Sequence, residues 1–367
     1  MKLKKLFAGV VAAAMIATMS FPAFAATGGL GSKNFTVENG ETFEFDKVWV
    51  TNDERDSSIV APDVELTMNV QNEEQPVTYP QGAAPASLKL RVTPKNPGAK
   101  TTGFTVDLPN YSVPGKYTYI LKENDPNVAG VVANENLYQV TVWALQDEAN
   151  TTGGNHIKEC GVKLSQVQQI DGGYVEITEK GKLSSVENTY QAGSVTVTKH
   201  VTGNMGNKDT KFNFKVVLKS TKPVKSAVKG TKDFTFSTTK DADGFYTAEQ
   251  TYQLADRETF TISNLPFGVT YTVYEMSDAT EHATPIENGK TLTGADAKVY
   301  EVTYTSETGT LSKETKDHLI EASVTNQCGD DTIDTGVILD NAPYILMLAV
   351  VAGGAMTLVI KKRREEE

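Results

Sequence analysis

Three polar side chains recur twice along this chain, each where the alternation of a β-strand calls for an apolar one. Lys47 follows Phe43 and Phe45 and precedes Trp49 at every second position, and Lys199 stands likewise among Val195, Val197 and Val201. Glu123 closes the alternation Tyr117, Tyr119, Leu121, and Glu275 closes Val269, Tyr271, Val273. Asparagine ends each set, after Val186 at Asn188 and after Ile320, Ala322 and Val324 at Asn326. Side chains two apart on a strand share a face, so all six are expected to point into a core. A lone buried charge is costly, so the amine, carboxyl and carboxamide of each set are expected to meet.

The two ends of the chain indicate where it works. Lys2, Lys4 and Lys5 precede an apolar run from Leu6 to about Phe21, followed by Ala23-Phe24-Ala25. This reads as a secretory signal peptide over residues 1–25, cut after Ala25. Residues 342–360 are almost wholly apolar. As a helix they would extend roughly 28 Å, close to the hydrocarbon thickness of a bilayer. Lys361, Lys362, Arg363 and Arg364 follow and would hold the C-terminus on the cytoplasmic side. Just before the apolar span stands Thr332-Ile333-Asp334-Thr335-Gly336. A Thr-Gly pair, a spacer, an apolar span and a basic stop together resemble the cell-wall sorting signal of Gram-positive surface proteins. The resemblance implies that a sortase cleaves between Thr335 and Gly336 and joins the Thr335 carbonyl to an amine. The usual motif is Leu-Pro-x-Thr-Gly, and Thr332 and Ile333 depart from it.

Between leader and sorting signal the chain is acidic. The whole sequence has 35 basic and 46 acidic residues. Without Lys2, Lys4, Lys5, Lys361, Lys362, Arg363 and Arg364, and without Asp340 and Glu365 to Glu367, 28 basic and 42 acidic residues remain, a net of −14. Such a surface repels nucleic acid and anionic lipid. Cys160 and Cys328 are the only cysteines, one in the first half and one beside the sorting signal, so no disulfide framework is expected. His156, His200, His282 and His318 are scattered without metal spacing, and neither a phosphate loop nor a nucleophile elbow occurs. Neither a cofactor nor a metal is expected, and the chain is not read as an enzyme.

Short runs rich in Val, Thr, Tyr and Phe, punctuated by Asn39-Gly40, Pro114-Gly115, Asp171-Gly172-Gly173 and Asp243-Gly244, predict an all-β chain. The runs repeat. Phe104-Thr-Val-Asp-Leu-Pro109 matches Phe260-Thr-Ile-Ser-Asn-Leu-Pro266, and Tyr138-Gln-Val-Thr-Val142 matches Tyr300-Glu-Val-Thr-Tyr304. The spacing from Lys47 to Glu123 equals that from Lys199 to Glu275, 76 positions. Two tandem immunoglobulin-like β-sandwich domains are therefore expected, over residues 26–191 and 192–328, with the sorting signal over 329–367.

With these features the chain resembles the isopeptide-bonded pilin domains of Gram-positive bacteria, as in two-domain streptococcal major pilins. The resemblance implies a Lys on the first strand of each domain joined to an Asn on the last, with a Glu as catalyst. Here the pairs would be Lys47 with Asn188, assisted by Glu123, and Lys199 with Asn326, assisted by Glu275. Burial suits that chemistry, since it depresses the lysine pKa and raises that of the carboxyl. The resemblance further implies a structural subunit of a covalent surface pilus, on the wall outside the cell. Its partners would be a pilus sortase, other copies of itself and peptidoglycan, with minor pilins or a host surface beyond these. The amine that accepts the next subunit's Thr335 would lie near the closing strand of the first domain, where Lys180 and Lys182 stand. Lys95, in Thr93-Pro-Lys-Asn96, partly matches another pilin motif. The alternative reading is a monomeric wall-anchored adhesin that binds a host or cell-surface ligand.

Overall fold

The computed structural model describes residues 35–53, 56–71, 88–150, 152–278, 280 and 283–329. The signal peptide, Thr335, Gly336 and the apolar span at 342–360 lie outside the described residues. The described chain is almost entirely β. Its first half holds β1 (Phe35–Glu38), β2 (Thr42–Thr51), β3 (Met68–Val70), β4 (Arg91–Pro94), β5 (Gly103–Asp107), β6 (Gly115–Glu123), β7 (Leu137–Gln146), β8 (Ile157–Ile170), β9 (Gly173–Glu176) and β10 (Ser185–Tyr190). The second half holds β11 (Ala192–Thr202), β12 (Phe212–Ser220), β13 (Tyr246–Leu254), β14 (Thr259–Pro266), β15 (Thr270–Met276), β16 (Pro285–Ile286), β17 (Lys290–Thr293), β18 (Val299–Thr305), β19 (Thr308–Thr310) and β20 (Leu319–Gln327). Single 3₁₀ turns occupy Thr178–Lys180 and Lys316–His318.

Alternation of apolar and polar residues decides which side of each strand is buried. On β12, Phe212, Phe214, Val216 and Leu218 are buried while the residues between them are partly exposed. Each such side chain contributes about 1.5–3 kcal/mol by leaving water. The strands form two immunoglobulin-like sandwiches. In the first, one sheet has the order β1-β8-β7-β6-β3 with β9 on β8, and the other β10-β2-β5-β4. In the second, the orders are β14-β11-β20-β18-β17 and β13-β12-β15-β16, with β19 on β15.

In the second sandwich the first strand β11 pairs in parallel with the last strand β20, from Ser194 opposite Leu319 to Thr202 opposite Gln327. The register against β14 shifts between Gly193 and Val195. A side chain at Gly193 would collide with the His318 carbonyl oxygen, so the entry into β11 needs a residue without Cβ.

Grouped by proximity, the chain divides into two compact units. One comprises the residues up to Val48, Glu65–Asp125 and Asn134–Glu187; the other comprises Trp49–Val64, Pro126–Ala133 and the chain from Asn188. The strands β2 and β10 each cross from one unit to the other. The short segments around residues 56 and 130 group with the second unit through contacts no local pattern announces. The buried Asn264 accepts the Val60 N–H at 3.1 Å and donates to the Val60 carbonyl at 3.2 Å, and Ala129 donates to the Pro223 carbonyl at 3.0 Å.

Candidate functional site

All six repeated polar residues are buried. Lys47, Glu123 and Asn188 are 6%, 3% and 2% exposed, and Lys199, Glu275 and Asn326 are 0% exposed. In the alternation around Lys47, Phe43 and Phe45 are buried as expected, but Trp49 is only half-buried, where β2 passes into the second unit.

Lys199 on β11 and Asn326 on β20 share one face of the parallel pair, because Lys199 is level with Val324 and Val201 with Asn326. Glu275 comes from the facing sheet, on β15 opposite Phe214 of β12. Its Oε2 accepts from Lys199 Nζ at 3.1 Å, and its Oε1 accepts from Asn326 Nδ2 at 2.6 Å. One carboxyl therefore touches both the amine and the amide. The Asn326 Oδ1 is buried and without a hydrogen-bond partner.

Rings surround the amine. Lys199 Nζ lies 4.5 Å from the ring centre of Phe212 and 5.6 Å from that of Phe214. Tyr252 stacks behind Phe214 at 5.6 Å and on Phe260 at 3.9 Å. Loss of hydration in this apolar surround pushes the Lys199 amine down to about 8, although Glu275 pulls the other way. The same burial pushes the Glu275 carboxyl up, against the pull of Lys199 and the hydrogen bond from Asn326. Both shifts favour the uncharged pair, a free amine beside a protonated carboxyl. Tyr304 holds the Glu275 backbone, its hydroxyl accepting from the Glu275 N–H at 3.0 Å and donating to the Ile286 carbonyl at 2.7 Å.

In the first set, Lys47 Nζ donates to Glu123 Oε2 at 2.5 Å, both side chains fully enclosed. Burial lowers the Lys47 pKa, partly offset by Glu123. Met68 of β3 stands opposite Glu123, in the place Phe214 takes opposite Glu275. Asn188 is buried on β10, the strand hydrogen-bonded to β2, and is grouped with the second unit.

The lysines named as subunit acceptors are on the surface. Lys180 ends a 3₁₀ turn and Lys182 follows it, both exposed. Lys95 is engaged by two carboxylates, Glu44 at 2.8 Å and Asp46 at 3.3 Å, which raise its pKa. Cys160 and Cys328 are both buried free thiols. Among the described residues, no group of three or more His, Cys, Asp or Glu could hold a metal.

Sequence reasoning did not find Phe212, Phe214 or Tyr304. Their alternation on β12 and β18 is visible, but nothing local states which strand faces Lys199.

A family described as a domain of unknown function, DUF7601, matches residues 193–328. A protein named Pilin from Streptococcus pyogenes serotype M1 is 28% identical over 270 residues, 72% of this chain and 72% of that protein. The crystal structure of the major pilin from Streptococcus pyogenes aligns at 19% identity and a TM-score of 0.42, covering 79% of this chain and 99% of that one. The major pilin T3.2 of serotype GAS13637 aligns at 18% identity and a TM-score of 0.43, covering 80% and 99%. The 270 shared residues exceed either sandwich alone, and this chain is homologous to a streptococcal pilin.

Proposed function

We propose that the chain is the backbone subunit of a covalently polymerised surface pilus, with sandwiches at 26–191 and 192–328 each closed by a Lys–Asn isopeptide bond. The observation that carries this reading is the single carboxyl of Glu275 touching both Lys199 Nζ and Asn326 Nδ2.

The neutral Lys199 amine attacks the Asn326 Cγ. The Nζ–Cγ bond forms and the Cγ–Nδ2 bond breaks. Glu275 takes a proton from Nζ through Oε2 and delivers one to Nδ2 through Oε1, so ammonia leaves and the carboxyl ends as it began. Folding holds the groups together, which replaces a bimolecular encounter by an intramolecular one. The product is a neutral amide, so the buried amine can no longer carry a charge and the carboxyl is left protonated without a cation beside it. Lys47, Glu123 and Asn188 take the same roles in the first sandwich.

Export by residues 1–25 and retention by residues 342–360 would present Thr335 to a sortase outside the cell. That enzyme would join Thr335 to a lysine of the next subunit, and the last subunit to peptidoglycan. Lys182 and Lys180 suit the acceptor role because they lie a few residues from Asn188. Tension entering there would pass into the crosslink without drawing out the domain. Lys95, which like Lys180 and Lys182 lies between Lys47 and Asn188, is far in sequence from both crosslinked residues, and its amine is held by Glu44 and Asp46.

Immunoblots of wall extracts test the assembly. Wild-type protein should give a high-mass ladder, Thr335→Ala none, and the double change of Lys180 and Lys182 to Ala should leave single anchored subunits. One discrete wild-type band would instead favour a monomeric anchored protein. A ladder that survives in the double variant would move the acceptor elsewhere.

A further inference from the structure

A turn between β13 and β14 grips the backbone of β11 on both sides of the reactive lysine. Lys199 donates its N–H to the Glu258 carbonyl at 3.0 Å, and its carbonyl accepts from the Arg257 N–H at 2.7 Å. Two residues on, the Val201 N–H donates to Asp256 Oδ1 at 2.8 Å. The turn is itself braced, with Glu258 Oε2 accepting from the Ala255 N–H at 2.8 Å and the Lys208 carbonyl accepting from the Asp256 N–H at 3.2 Å. Arg257 adopts a left-handed φ of 64°, which few residues other than glycine take without cost.

Asp256 is the informative member. Its side chain is only 9% exposed, and Oδ2 faces Arg257 at 3.6 Å and Lys208 at 3.8 Å. Its other charged neighbour is Lys199, whose ammonium form it favours, and Lys199 in turn faces Glu275. In the first unit the matching grip is the Lys47 N–H on the Thr102 carbonyl at 2.9 Å. Two residues before Thr102, in the place of Asp256, stands Lys100. At this turn the carboxylate belongs to the second site alone; the anion that favours the ammonium form of Lys47 besides Glu123 is Glu187, on β10.

We infer that Asp256 is a positioning residue for crosslinking at the second site, fixing β11 through Val201 while its charge sets how acidic the medium can be before the Lys199 amine is silenced. This rests on the isopeptide reading above. The charge of Asp256 favours a proton on the amine that must leave before attack, and the hydrogen bond to Val201 fixes where the lysine enters the core.

The test is the full chain recovered unfolded from inclusion bodies and diluted into buffers from pH 5 to 9. Ammonia loss at each site is followed by acid quench, intact mass and peptide mapping. Asp256→Asn keeps an oxygen to accept from Val201 but removes the charge. Its acid limb should move down, so that second-site ammonia loss near pH 6 is faster than in wild type. Asp256→Ala removes the acceptor as well and should be slower than Asp256→Asn at every pH. First-site loss in the same molecules reports that folding is intact and should not change. An Asp256→Asn profile identical to wild type, with the first site reacting normally, would overturn the inference while leaving the crosslink reading standing. Wild-type chain that folds and keeps both ammonias would overturn both.

Discussion

The two lysine sites reach similar burial by different routes. On β2 an aromatic residue, Phe45, precedes Lys47 on the same face, and the residue opposite the glutamate is Met68. On β11 the corresponding residue is Val197, and the rings over Lys199 come from β12 of the facing sheet as Phe212 and Phe214. Phe104 lies opposite Phe45 and Phe260 opposite Val197, so one ring position is common to both and the other moves between strands. What is held constant is an amine out of water beside a carboxyl, not the residue that excludes the water. The polar trio survives as a pattern because its chemistry needs those atoms. Apolar filling can be exchanged between neighbours if volume is kept.

The largest effect expected is loss of either glutamate. Glu123→Ala and Glu275→Ala should each retain one ammonia by intact mass, and each should open a closed loop of well over a hundred residues. By the chain-entropy estimate for such loops this costs on the order of 5 kcal/mol. In a domain of this size that is about 15 °C in calorimetry, confined to the altered domain. If both transitions fall together, the two sites are coupled and the comparison between them fails.

A smaller effect should follow from exchanging the packing. Phe214→Met, which gives the second site the residue of the first, should cost about 1–2 kcal/mol and slow ammonia loss there. Mapping should show the first site unaffected. Equal rates in variant and wild type would mean that the rings over Lys199 fill space without preparing the amine.

A pH dependence is expected of the unlinked second domain. In Asn326→Ala the amine cannot react and titrates instead. An unfolded lysine keeps its proton up to about 10.5, while burial makes the folded amine release it at about 8. The unfolded state therefore binds more protons within that window, and stability should rise as the pH increases through it. Denaturant midpoints measured from pH 7 to 11 check the sign. Flat behaviour would mean that Lys199 stays solvated without its partner.

Much of the site was legible because a strand's period of two is local. Lys199, Glu275 and Asn326 each interrupt an apolar face, and the cost of leaving them unpaired implies that they meet. The turn at Ala255–Glu258 offered no such signal. Asp256-Arg257-Glu258 reads as an ordinary polar turn, and its grip on Lys199 depends on the pairing of β11 with β14. The attachment of residues near Val60 to Asn264 was equally hidden, since 204 positions separate the partners.

By itself the sequence determined that the chain between its leader and sorting signal is all β, that its pattern occurs twice, and that an amine, a carboxyl and an amide must be buried in each copy. These follow from alternation and from the penalty for isolated polar groups, and both act residue by residue. Only the tertiary structure decided that β11 lies parallel to β20, that Phe214 stands opposite Glu275, and that one carboxyl bridges Lys199 and Asn326. Those are relations between strands far apart in the chain. Many pairings bury the same residues, and the choice among them rests on how the whole core fills.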